Sequence, residues 1–199
     1  MKNLFKILTI IFLFSYNQSF SQESIVGFEN FKFDIQERKV LWVKVFEPEN
    51  QMDLTTLKQY FIENQILEVL SQDSSSFRGS LIPKSIDIQK YGYKRGTTPM
   101  FLLDVEQKFN VKAELKDGKY RITLSDMGYI DNGMISDLTS RALVGNTSTT
   151  TKGNFVTYDG EFSFTNKNEV RTRNKSGFEI LNKFYLDIFT IKKKSASDW

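Results

Sequence analysis

The stretch from Lys108 to Ser125 admits very few conformations. Phe109, Val111, Ala113 and Leu115 alternate with Lys108, Asn110, Lys112 and Glu114. Beyond it, Tyr120, Ile122 and Leu124 alternate with Arg121, Thr123 and Ser125. Between the two runs lies Asp117-Gly118, a pair that tolerates positive φ and closes two-residue β-hairpins. Setting Lys116 opposite Lys119 fixes the register. Leu115 then faces Tyr120, Ala113 faces Ile122, Val111 faces Leu124, and all six apolar side chains share one face. The chain is therefore expected to hold an antiparallel sheet whose apolar face needs a cover.

Flanking segments offer both. Val40–Phe46 reads as a strand with apolar residues on both faces, ended by Pro48. Gln22–Phe33 reads as a first strand or an arm. Asp53 is placed to cap a helix, and Leu54, Leu57, Phe61, Leu67 and Leu70 recur near helical spacing, which predicts a helix over 54–70. Phe77–Ile82 reads as a short strand, and Pro83 places it at an edge or marks its end. Lys84–Thr98 reads as a polar connection or a loosely held strand. Past Asp126 the pattern weakens. Asp131-Asn132-Gly133 and 145–153 read as loop, Phe155–Tyr158 with Glu161–Phe164 as a second hairpin about Asp159-Gly160, and Asn166–Ser176 as an exposed basic loop. Ile180, Leu181, Phe184, Tyr185, Ile188 and Phe189 form an amphipathic helix, with Lys192–Lys194 at the negative end of its dipole.

The N-terminus bears on location. Lys2 and Lys6 precede an apolar run, Ile7–Phe14, and Ser19-Phe20-Ser21 sets small residues before Gln22, the pattern of a cleaved secretory signal. Residues 1–21 are expected to be removed, leaving no transmembrane helix in the mature chain and a periplasmic or secreted product. The chain has no cysteine, which rules out lipid anchoring through a cysteine, disulfides and thiol catalysis. It has no histidine, which rules out Ser-His-Asp nucleophiles and His-ligated zinc. Of 27 basic and 24 acidic residues, only Lys2 and Lys6 leave with the signal, so the mature chain stands near +1. That is no nucleic-acid footprint.

The segment LKDGKYRITLSDM, Leu115–Met127, together with the order Trp42 strand, helix, then strands, resembles a family of secreted Bacteroidetes proteins of unknown function with a TATA-box-binding-protein-like fold. The resemblance covers about Phe31 to Met127. It implies an α+β fold, an antiparallel sheet with a helix packed on one face, and carries no catalytic residue and no DNA binding. The chain divides accordingly into a 1–21 signal, a 22–127 sheet-and-helix domain and a 128–199 extension, either a separate lobe or a second helix for the same sheet.

Few residue groups suggest chemistry. Tyr91, Tyr93, Lys94 and Arg95 combine aromatic surface with charge and are the candidate binding surface, although a solvated loop is the plainer reading. Asp131, Asn132 and Asp137 surround Gly133 without the spacing of an EF-hand, so a turn is expected there. Lys84-Ser85 would point to opposite faces of a strand. Lys167, Arg171, Arg173 and Lys175 form a basic stretch that reads as soluble surface. No catalytic residue, metal or cofactor is expected. The reading is an exported, non-enzymatic binding or interaction module of the cell envelope, its partner a protein or glycan and its oligomeric state open. A carboxylate-dependent hydrolase of envelope glycan or peptide and a structural component of an envelope assembly are the alternatives.

Overall fold

The computed structural model describes residues 25–131 and 153–192. Residues 1–21, the Asn132, Gly133 and Asp137 turn, residues 145–152 of the expected 145–153 loop and Lys193-Lys194 lie outside the described residues.

The hairpin forms in the expected register and runs longer than expected. β7 (Glu106–Lys116) pairs with β8 (Lys119–Ile130), with Lys116 on Lys119, Leu115 on Tyr120, Ala113 on Ile122 and Val111 on Leu124. Asp117 (φ 51°) and Gly118 (φ 73°) make the turn. Where the alternation weakens in sequence, β8 carries a bulge. Lys108 pairs with Gly128 and Asn110 with Ser125, so Phe109 faces both Asp126 and Met127. Asp126 takes the left-handed conformation at φ 48°. The extra residue shifts the phase of the pattern. Leu124 points to the core before it, and Met127 and Tyr129 do so after it.

The hairpin is the centre of one antiparallel sheet. Around it lie β1 (Ile25–Phe28), β2 (Phe31–Asp34), β3 (Lys39–Phe46), β4 (Leu67–Gln72), β5 (Ser76–Leu81), the two-residue β6 (Lys84–Ser85) and β9 (Phe155–Thr157). The order is β1-β2-β3-β8-β7-β5-β4, with β6 on β7 and β9 on β8. Gln22–Phe33 thus supplies strand β1 and the start of strand β2. β5 is an interior strand, and Pro83 lies beyond its end.

Two helices cover one face. α1 (Leu54–Glu63) begins where Asp53 Oδ1 accepts the Thr56 amide at 2.7 Å, and it buries Leu54, Leu57 and Phe61. It stops well short of Leu70. Gln65 turns left-handed at φ 52°, and Leu67, Glu68 and Val69 pair instead with Leu81, Ser80 and Gly79 of β5. Ladder pairing overrides the helical spacing of Leu67 and Leu70. α2 (Lys175–Phe189) starts earlier than expected, so Lys175 and Ser176 are helical, and Thr172–Asn174 is a 3₁₀ turn rather than open loop. The extension is possible because Gly177 lies under the Phe101 ring, where a Cβ would come within 2.3 Å of Cζ.

α2 lies across the sheet and closes an aromatic core. Phe178 meets Phe31 (4.9 Å between ring centres) and Phe33 (5.3 Å), Tyr185 meets Phe109 (5.1 Å) and Trp42 (5.6 Å), and Phe189 meets Phe61 (5.6 Å) from α1. Such edge-on pairs add to the hydrophobic gain of burial. Tyr120 OH donates to the Phe189 carbonyl at 2.7 Å, near the helix end. Asn182, 5% exposed, accepts from Trp42 Nε1 and Asn30 Nδ2, both at 2.8 Å, and pins the helix to β3 and the β1–β2 turn. The fold is α+β, a mostly antiparallel sheet with a C-terminal helix.

The expected second hairpin does not form. Phe155–Thr157 pairs with Gly128–Ile130 of β8, Gly160–Phe162 is a 3₁₀ turn, and Phe164 makes only a single bridge with Val170. Buried Tyr158 accounts for the difference. Its hydroxyl donates to Gln107 Oε1 at 2.6 Å, drawing the chain into the core instead of back along β9.

Candidate functional site

The loop singled out in the sequence packs against its own molecule. β6 holds Lys84-Ser85 against Gln107 and Glu106, and buried Ile86 and Ile88 anchor the turns that follow. Tyr91 OH donates to Asp187 Oδ2 at 3.1 Å, and Lys90 pairs with the same carboxylate. Lys183 Nζ sits 4.6 Å from the centre of the Tyr93 ring. Lys183 and Asp187 are one turn apart on α2, so Tyr91 and Tyr93, two residues apart, clasp one stripe of that helix. Arg95 forks onto Asp104, with Nη1 2.9 Å from Oδ1. Lys94 is exposed.

Beside this clasp is a cleft of about 330 Å³ lined by Tyr60, Lys84, Asp87, Asp187 and Lys192, among others. Burial alone would push the Asp187 carboxyl up. Hydrogen bonds from Lys192, Lys90 and Tyr91, with the Lys192 charge, outweigh it and hold the pKa down at about 2. A carboxyl lower in the folded than the unfolded state contributes stability above its unfolded value near 4 and loses it as pH falls toward 2. The wild-type protein is therefore expected to exceed Asp187→Asn in stability at pH 6, with the gap closing between about pH 4 and pH 2. Urea unfolding of both proteins across that range checks this, and a gap that persists at pH 2 would contradict it.

The other sequence candidates are also committed internally or lie elsewhere. Arg171 Nε donates to the Glu161 and Phe164 carbonyls at 2.7 and 2.9 Å, and Lys175 stands 5.2 Å from the Phe28 ring centre. Asp131 is 5% exposed and pairs through its backbone with Asn154 and Gly153, while its expected neighbours Asn132 and Asp137 are outside the described residues. Among the described residues, every carboxyl whose pKa departs clearly from its ordinary value is lowered: Glu47, Asp53, Asp73, Asp104, Glu114 and Asp187. A glycosidase acid needs the opposite shift.

The surface with most side chains to offer is the face of the sheet opposite the helices. Period-two alternation that sends Trp42, Phe77, Phe109, Val111, Ile122 and Leu124 inward sends Val43, Val45, Arg78, Asn110, Lys112, Glu114, Arg121 and Thr123 outward. Val45 is 49% exposed, and Leu70, at the β4 bulge, is 68% exposed. Glu114 serves two cations, Lys112 Nζ at 2.8 Å and Arg121 Nη2 at 2.7 Å, and its pKa is lowered by the Lys112 hydrogen bond first and then by Arg121. Two grooves run along this face. One of about 780 Å³ lies by the hairpin end between Val45, Glu114 and Arg121; another of about 410 Å³ lies between Leu70, Arg78, Asn110, Lys112 and Thr123. The polar half of the hairpin pattern was the visible trace of this surface. What the sequence does not show is which strands flank it.

No family model and no curated protein matches the chain. Two solved structures are similar to it. A DUF4468 family protein from Bacteroides ovatus shares 9% identity over 86% of this chain and 93% of its own, with a TM-score of 0.42. A TBP-like protein from Parabacteroides distasonis shares 16% identity over 76% of this chain and 90% of its own, with a TM-score of 0.37. Both are Bacteroidetes proteins, of the kind the hairpin resemblance names. At these identities and scores neither lends this chain an activity, a ligand or a residue role.

Proposed function

We propose that this protein is a non-enzymatic binding module of the bacterial cell envelope, exported by its N-terminal segment, which meets an envelope protein through the face of its sheet opposite the two helices. The observation that carries this reading is the one-sided packing. Both helices lie on one face, and the other presents Val43, Val45 and Leu70 among charged and hydroxyl side chains. Interface surfaces are mixed in this way, with apolar patches ringed by polar groups. Among the described residues, the hydrolase alternative has no raised carboxyl to support it.

A photo-crosslinking amino acid placed at Thr123 on the open face, and at Thr55 on α1 as a control, tests the reading in intact cells. One envelope protein joined near-stoichiometrically from position 123 and not from 55 is the expected result. No adduct from 123, or turnover by the purified protein that is lost on changing one carboxylate, would overturn it.

A further inference from the structure

We infer that the groove between β4, β5, β7 and β8 takes an extended acidic peptide segment, with a carboxylate seated on Arg78 and Lys112. This rests on the sheet face being the contact surface and adds the chemistry of what meets it. The strand register is the first observation. Arg78 lies directly opposite Lys112 in the β5–β7 ladder, a like-charge pairing that costs stability on its own. The second is how the local charges are spent. Lys112 leans to Glu114, but that carboxylate also binds Arg121, so the three together keep one positive charge. Arg78 is exposed and has neither an ion pair nor a hydrogen-bond acceptor for its guanidinium among the described residues. A planar fork without a partner, next to a second cation, is suited to a carboxylate held by two hydrogen bonds.

The groove walls select further. Asn110 and Thr123 offer polar contacts along the floor, and Leu70 offers an apolar wall at 68% exposure. Asp126 closes the far end, where it accepts from Asn110 at 2.9 Å; Lys39 lies 3.8 Å from it but holds Asp159 more closely, at 3.0 Å, so that end keeps a negative charge and the carboxylate seat is confined to the Arg78 and Lys112 end. An acidic side chain flanked by an apolar one fits this layout. A glycan would find no aromatic stacking surface among the residues that line the groove.

The test is an NMR titration of the purified protein with a capped synthetic hexapeptide alternating leucine and glutamate, and with its glutamine counterpart. The glutamate peptide is expected to shift amide resonances at Arg78, Lys112 and Thr123. Arg78→Gln and Lys112→Gln, each checked for an intact spectrum, are expected to weaken it about tenfold, as is the glutamine peptide. Equal binding of the two peptides, shifts confined to other surfaces, or oligogalacturonate binding as tight as the peptide would overturn the inference. If crosslinking from position 123 succeeds while the peptides fail, the contact face stands and only its acidic partner is lost. If both fail, the face itself is wrong.

Discussion

Replacing Trp42 with alanine is expected to lower the unfolding free energy by about 3–5 kcal/mol, a large share of the total for one domain. The indole is fully buried and touches Phe46, Tyr185 and Phe189, so its loss leaves a cavity between β3 and α2 that these neighbours cannot all fill. It also removes the donor that holds Asn182. Asn182→Leu separates the two contributions. It keeps the number of side-chain heavy atoms but strands the Trp42 indole N–H and the Asn30 amide, at an expected cost of about 2 kcal/mol. Urea unfolding of the three proteins decides. A loss below about 1 kcal/mol for Trp42→Ala would mean that the helix is not seated on β3 as described.

Gly128→Ala is the second. A Cβ at this position would stand 2.2 Å from the Val156 carbonyl oxygen and 2.7 Å from the Phe155 ring. The oxygen belongs to the backbone of the paired strand, so the strand has to move. The expected result is release of β9 from β8 and a loss of about 2–3 kcal/mol. Hydrogen exchange at Tyr129 and Val156, which face each other in the ladder, should rise sharply while that at Ile122 and Ala113 stays slow. Gly118→Ala at the turn is the control. Nothing lies within 4 Å of its added carbon, so only the positive φ resists it and exchange in β9 should not change. Unchanged exchange at Val156 in Gly128→Ala would show that β9 is not where it is described.

The parts legible in sequence were those with local causes. The hairpin register follows from alternation and one turn, and the Asp53 cap from a side chain three residues from the amide it accepts. What the sequence hid had distant causes. Leu67 and Val69 look helical until Leu81 and Gly79 offer them a ladder. β8 looks finished at Asp126 because one bulged residue inverts the phase of everything after it. Nothing near Tyr91 and Tyr93 in the sequence shows that α2 brings Asp187 and Lys183 against them. Arg78 reads as one more surface cation until the β5–β7 register sets Lys112 beside it.

The position of α2 in the chain has a consequence for how the protein comes into being. Phe31, Phe33 and Trp42 are made well before the side chains that cover them, Phe178 and Tyr185. A growing chain that has not reached Phe189 carries an open aromatic sheet with nothing to seal it. Contacts between opposite ends of a chain close late. The aromatic core therefore cannot close until α2 is available to lie across β2 and β3.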